Sequence, residues 1–233
     1  MVPAHNEGEL LAACLRSLAL AAAQTTVPVH VVVVLDRCTD GTSEVLRRAD
    51  PAAFAQLSWF PGLRTGVGSS RDAGARALIE GCGSRGLWLA NTDADSTVPA
   101  GWLVRQMAYA ADGAEAVLGT VDVADWSGHS AAVRRRHLLG YRAVPGHRHM
   151  HGANLAVAAA AYVEVGGFPA TDSDEDVALI NALEAAHRRV VWAADLPVVT
   201  SARSDGRAVN GFAGHLRQLT RLVENETATD VAR

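Results

Sequence analysis

Only three cysteines, Cys14, Cys38 and Cys82, occur in 233 residues, and they lie far apart. That spacing excludes a disulfide framework and a zinc cluster, and a reducing, cytoplasmic setting is the simplest expectation. Aromatics make up 5% of the chain. The five tryptophans are scattered. Formal net charge is −4, which excludes a chain-wide electrostatic footprint for nucleic acid. A local exception is Arg134-Arg135-Arg136, with Arg142 and Arg148 following. No apolar run approaches the roughly 18 residues of a spanning helix, so membrane contact is expected to be peripheral. No leader peptide is expected either, because polar His5-Asn6-Glu7 follows almost at once.

What the chain does hold is a regular alternation of elements. Leu10, Leu11, Cys14, Leu15 and Leu18 recur at helical spacing, with Asn6 placed to cap that helix. Val29 to Leu35 is β-branched and almost wholly apolar, as in a parallel strand buried on both faces. Gln56 to Phe60 and Gly86 to Ala90 read as further strands, with helices over 43–48 and 71–80 between them and another starting at Pro99. Such alternation predicts an α/β, Rossmann-like, mostly parallel sheet flanked by helices. In the second half, strands are expected over 115–123, 152–157, 190–193 and 197–200. Helices are expected over 130–141, 174–187 and 212–223. The whole reads as one domain over 1–224, with a nucleotide-binding half (1–110), a smaller mixed acceptor half (111–224) and a flexible tail (225–233). Ligands in such folds bind beyond the carboxyl ends of the strands. Asp36 and Asp93-Ala94-Asp95 stand at two such ends.

Several residue groups have the chemistry for a site. Asp93 and Asp95 can reach one hard cation, Mg²⁺ or Mn²⁺, bridged to a diphosphate. The plainer reading of the pair is a turn or helix cap ahead of Pro99. Asp174-Glu175-Asp176 either complements a helix dipole or supplies a general base. His147, His149 and His151 alternate, as ligands or as a solvated loop. Gly66-Val67-Gly68-Ser69-Ser70-Arg71 opens a helix and is a weak candidate for cradling phosphate; it lacks the Gly-Lys-Ser/Thr of a P-loop. The segment from Gly128 to His151 is expected to shape acceptor choice and to move on binding.

Taken in order, these pieces resemble family-2-type glycosyltransferases of the GT-A fold. Val2-Pro3-Ala4-His5-Asn6-Glu7 resembles the opening motif of that family, and Val33 to Asp36 with Thr39-Asp40-Gly41-Thr42 resembles its second-strand motif. Gly68 to Gly74 and then Asn91 to Asp95 resemble the segments around the DXD motif. Gly152 to Val157 with Gly166-Gly167-Phe168, and Glu175-Asp176, resemble the later motifs. The resemblance implies an enzyme that moves one sugar from a UDP- or GDP-sugar to an acceptor hydroxyl, with inversion and with Mn²⁺ or Mg²⁺ as cofactor. It places Pro3, Ala4, Glu7, Asp36, Arg71 and Asp93 on the donor, counts Asn154 among the substrate-binding residues, and puts Asp95 and Asp93 on the metal. It makes Asp176 the general base, with Glu175 as the alternative. Retaining relatives carry a metal-binding histidine late in the chain, for which His151 is the first candidate and His215 the second.

The first strand is shorter than the family pattern. The Gln-x-x-Arg-Trp signature of processive synthases is also missing, since Gln218 and Arg221 are followed by Leu222. Two other readings compete. A sugar nucleotidyltransferase needs a glycine-rich basic loop after the first strand, where this chain has Ala4-His5-Asn6-Glu7-Gly8. A non-catalytic nucleotide-sugar-binding domain is expected to lose its acids, yet Asp36, Asp93, Asp95 and Asp176 are all present.

Overall fold

In the computed structural model, residues 1–63, 66–171, 173–203 and 211–231 are described. Residues 64–65 of the expected glycine-rich loop and 232–233 of the expected tail lie outside the described residues. The order begins β1 (Val2–Ala4), α1 (Leu11–Ala22), β2 (His30–Leu35), α2 (Thr42–Arg48), β3 (Gln56–Pro61), α3 (Val67–Cys82), β4 (Trp88–Asn91) and α4 (Trp102–Ala111). It continues with β5 (Ala116–Val123), α5 (Ala131–Gly140), β6 (Leu155–Ala158), α6 (Ala159–Glu164), α7 (Glu175–Ala185), β7 (Val190–Thr200) and α8 (Phe212–Val231).

β1, β2 and β3 form a parallel sheet in that order. The other sheet runs β4-β6-β5-β7; β6 is antiparallel to both neighbours, and β5 is parallel to β7. Met1 joins the two sheets, its nitrogen donating to Ala90 O at 2.6 Å and its carbonyl accepting from Thr92 N at 3.3 Å. These two bonds follow the parallel pattern and align β1 with β4. Their carboxyl ends, with that of β2, therefore open on one side.

The valine run of β2 explains the layering. Val31 and Val33 face a core built from α1, α2 and α4, with Leu11, Cys14, Leu46 and Trp102. Val32 and Val34 face the opposite core, with Leu78 of α3, Tyr162 of α6 and Leu179, Ile180 and Leu183 of α7. Burying each of these valines contributes about 1.5 kcal/mol or more. Both cores draw on the 1–110 half and on the 111–224 half, so the two halves share their interior.

Four local expectations are corrected. Asn6 does not cap α1, because it adopts a left-handed φ of 53° and its side-chain oxygen accepts Thr39 N at 2.8 Å. It braces one loop against another instead. The fourth helix begins at Trp102 rather than Pro99, whose carbonyl closes a turn onto Trp102 N at 2.9 Å. The two short late strands are one strand, β7, with a register break opposite Gly119 and Thr120 where Ala194 to Leu196 bulge out. Finally, α8 runs on to Val231 through the expected tail. Polar residues such as Glu224 and Glu226 suit a helix well, but they leave no apolar period in the sequence to follow.

Candidate active site

The carboxyl ends of β1, β2 and β4 open into a cavity of about 1150 Å³. That is just above the roughly 300–1000 Å³ common for small-molecule sites. Pro3, Ala4, Glu7, Asp36, Arg71, Asp93, Asp95, His151 and Asp176 all line the cavity.

The turn after β1 is built by the turn after β2. Thr42 Oγ1 accepts Glu7 N at 2.8 Å, and Asp40 Oδ2 accepts Gly8 N at 2.9 Å. A side chain at position 8 would meet Asp40 Oδ2 at 3.0 Å, so glycine lets the two loops close. Glu7 is thereby fixed with 4% exposure at the rim of the sheet. Asp36 ends β2 and is 6% exposed; its carboxylate accepts Arg37 Nε at 3.2 Å and Gly66 N at 3.3 Å.

Arg71, on α3, is 3% exposed and spans the site. Its Nη2 donates to Asp93 Oδ1 at 2.6 Å and its Nε to Glu175 Oε1 at 3.0 Å. Asp93, Glu175 and Asp176 raise its pKa against the opposing effect of burial. Its Nη1 finds no partner among the described residues. Gly152 makes this placement possible, since a Cβ there would lie 2.4 Å from Arg71 Nη2. Gly68 is small for the same kind of reason. A Cβ on it would sit 2.6 Å from Pro169 O, so glycine lets the start of α3 pack on the loop that leads into α7.

Asp95 is the most perturbed acid. Burial first, and then the negative charge of Asp93, push its pKa up to about 6, while Arg203 opposes the rise and Glu7 adds to it. Arg203 is the residue the sequence did not point to. Its guanidinium bonds both oxygens of Glu7, at 3.0 and 2.5 Å, and reaches Asp95 Oδ2 at 3.1 Å. It arrives there because the end of β7 pairs antiparallel with Thr97 through Thr97 N to Val199 O at 2.8 Å and the reciprocal bond at 3.0 Å. No local pattern marks such a cation; it is found only by knowing that residues a hundred positions apart are neighbours.

A divalent ion beside Asp95 fits what is present. Glu7, Asp93 and Asp95 gather negative charge that Arg71 and Arg203 partly neutralise. Among the described residues no group of three histidine, cysteine, aspartate or glutamate side chains is arranged to hold a metal by itself. Mg²⁺-like sites commonly take one or two carboxylates and complete their shell with substrate phosphates and water. His151 is therefore not gathered with Asp93 and Asp95. Its Nε2 accepts from the Tyr141 hydroxyl at 3.1 Å, and that hydroxyl itself accepts Val121 N at 2.9 Å.

Of the paired acids, Glu175 is buried, tied to Arg71, and has a pKa raised chiefly by burial. Asp176 is half-buried at the cavity. Its Oδ2 accepts Gly152 N at 2.7 Å and its Oδ1 accepts Val177 N at 2.8 Å. Asn154 is a correction. It is 1% exposed and does not line the cavity. Its Nδ2 donates to Thr120 O at 2.8 Å and Leu196 O at 2.6 Å, and its Oδ1 accepts Trp102 Nε1 at 3.0 Å. The amide nitrogen thus pins the β7 bulge onto β5 and the oxygen ties α4 to them, so both polar atoms of the side chain are taken up inside the protein.

The far wall is a column of rings. Tyr141 stacks on His149 at 4.0 Å and on His137 at 5.1 Å, and His137 Nδ1 lies 3.4 Å from His215 Nε2. Burial pushes His137 down to about 4 and His151 to about 3, and it also lowers His147 and His215. These groups are neutral at pH 7. Their stabilising contribution is full above the unfolded value of about 6.5 and is lost as pH falls from there towards about 4 and 3. Asp95 has the opposite sign, its raised pKa favouring the fold as pH falls below about 6. The histidines outnumber it, so chemical denaturation at pH 4.5 should show a net loss on the order of 3 kcal/mol against pH 7.5. A flat stability between those values would show that the rings are not held neutral.

An α/β sheet with acids at the carboxyl ends of its strands and a mixed second sheet defines a GT-A architecture. The profile of glycosyl transferase family 2 matches residues 1–162, and the chain belongs to that family. Among curated proteins none matches. Solved structures share the fold at low identity. TarS 1–349 of S. aureus, in complex with UDP-GlcNAc, aligns at 16% identity and TM-score 0.67 over 95% of this chain and 64% of its own. The mannosyltransferase PcManGT of Pyrobaculum calidifontis, in complex with GDP-Man and Mn²⁺, aligns at 22% and 0.65 over 88% of this chain and 57% of its own. GalNAc-T7 with UDP, GalNAc and Mn²⁺ aligns at 15% and 0.64 over 91% of this chain and 46% of its own. The chain thus spans about half to two thirds of the length of these three.

Proposed function

We propose that this protein transfers one sugar from a UDP- or GDP-sugar to an acceptor hydroxyl, with inversion at the anomeric carbon. The observation that carries this reading is the pairing of Asp95, raised and buried among Glu7 and Asp93, with Asp176 in the same cavity. Glu7 and Asp36 border the nucleoside. Asp93, held by Arg71, meets the ribose or donor sugar. Asp95 is the residue that would hold Mn²⁺ or Mg²⁺, with Asp93 beside it. When bound, the ion neutralises charge developing on the departing diphosphate.

Asp176 accepts the proton of the acceptor hydroxyl as its oxygen bonds the anomeric carbon. The bond from that carbon to the diphosphate oxygen breaks, and the nucleoside diphosphate leaves with the electron pair. A single displacement of this kind inverts the centre. Glu175 serves by locking Arg71 rather than by touching the acceptor. The rings of Tyr141, His149 and His151 supply a water-poor wall on the acceptor side, where electrostatic interactions are strengthened.

Calorimetric titration of UDP and GDP with and without Mn²⁺ tests the donor side. One of the two is expected to bind at least about tenfold more tightly with Mn²⁺, a gain of about 1.4 kcal/mol. Asp95→Asn is expected to erase that gain. In the native chain the gain should fade as pH drops through about 6, because protonated Asp95 is a poor ligand. A gain untouched by the substitution would remove Asp95 from the metal and the reading with it.

A further inference from the structure

We infer that the outer face of α5 is a docking surface for an anionic lipid bilayer. α5 reads Ala-Ala-Val-Arg-Arg-Arg-His-Leu-Leu-Gly and contains no acid. Val133 and His137, four apart, are buried and fasten it to the protein. The opposite face carries Arg134 above Leu138 and Arg135 above Leu139, each pair four residues apart and so stacked on one side of the helix. Leu138 is 56% exposed and Leu139 73%, and Val144 just beyond the helix is 45% exposed. Arg134, Arg135 and Arg142 are exposed as well, and no ion pair is recorded for them among the described residues. Arg136 differs, because it pairs with Glu226 of α8 at 2.5 Å. Leu222, one turn before Glu226, is 40% exposed.

Two apolar side chains flanked by cations, on a protein whose net charge is −4, are ill suited to bulk water. They fit the headgroup boundary of an anionic membrane. There leucines enter the acyl layer and arginine stems lie along it with their guanidinium groups at phosphate depth. The chain contains no lysine, so all its side-chain cations are guanidinium or imidazole groups. Guanidinium binds phosphate oxygens in pairs, as phospholipid headgroups present them. No described helix is long and apolar enough to cross a membrane.

The place of this face gives it a consequence. Arg136, His137 and Gly140 of the same helix line the cavity on its acceptor side. A bilayer on the outer face therefore lies beside the acceptor entrance, where a hydroxyl carried on a lipid would be within reach. That last step rests on the proposed transfer reaction; the docking itself does not.

Co-sedimentation of the whole protein with vesicles tests it, using phosphatidylcholine alone and phosphatidylcholine with about 30% phosphatidylglycerol. The native protein is expected to pellet with the anionic vesicles only, and less so as salt is raised. Leu138→Ser with Leu139→Ser is expected to lower the partition coefficient at least about tenfold. Arg134→Glu with Arg135→Glu should erase the preference for anionic lipid. Unchanged nucleotide binding and thermal unfolding in both variants would show that the site and fold survive. Absence of vesicle binding by the native protein, or variants that bind as the native protein does, would overturn the inference. Concentration-dependent dimers lost in the leucine variant, without vesicle binding, would overturn it too and assign the face to a second copy of the chain.

Discussion

Arg71→Met is expected to lower the unfolding free energy by about 3–5 kcal/mol, the usual consequence of leaving a buried charge without its partner. Arg71 is 3% exposed and Glu175 4%, and the guanidinium is the cation recorded against Glu175. Without it, Glu175 must either stay ionised in a dry site or take up a proton. The second course is cheaper as pH falls, so the deficit should shrink at pH 5 relative to pH 8. The sign follows from a folded-state pKa raised above its unfolded value, a contribution that is present at low pH and lost as pH rises. Adding Glu175→Gln to the Arg71 variant should recover much of the loss, because an amide tolerates burial better than a lone carboxylate. Arg71→Lys should not, since one ammonium cannot reproduce the two-armed span between Asp93 and Glu175. Denaturant unfolding of these variants and of Glu175→Gln alone, against the native protein, decides the matter. A loss below about 1 kcal/mol for Arg71→Met, or strictly additive losses in the double variant, would mean that the charges are far better hydrated than their burial indicates.

Much of this architecture could be read from local pattern. The valine run of β2 announces a strand buried on both faces, and the acids after β2 and β4 stand where a parallel sheet presents ligands. Periodicity also located most of the helices, because each buries one stripe. What failed to show depends on distant pairing. Arg203 has no motif around it and reaches Asp95 only because β7 runs past Thr97. Asn154 sits in a recognisable motif, yet the backbone carbonyls of Thr120 and Leu196 consume it. Gly119 is the reason it fits, since a Cβ there would lie 2.2 Å from Asn154 Nδ2. Motif membership told that Asn154 matters without telling what for. Gly68 and Gly152 illustrate the same point: each is small because another group passes close to its Cα, and that group lies on a different element.

Asp176→Asn is expected to lower the rate of sugar transfer by about 10² to 10⁴, the range supplied by a positioned general base. Donor release with water as the acceptor hydroxyl gives a readout, namely the free UDP or GDP formed from the sugar nucleotide. Donor affinity should change far less than the rate, since the Asp176 carboxylate is bonded to Gly152 N and Val177 N and not to Asp93 or Asp95. The asparagine retains one acceptor oxygen for Gly152 N or Val177 N, so one of the two backbone bonds is lost. That costs about 1 kcal/mol of stability, far too little to unfold the protein. Glu175→Gln is the contrasting variant. It weakens the lock on Arg71 and should therefore disturb donor affinity and stability together with rate. Asp176→Ala should recover part of its lost rate when formate is added, because a small carboxylate can enter the space vacated and accept the proton. A purely structural Asp176 would show no such rescue. A rate within about fivefold of the native value in Asp176→Asn would remove it as the base and turn attention to Glu175, whose burial already favours the protonated form.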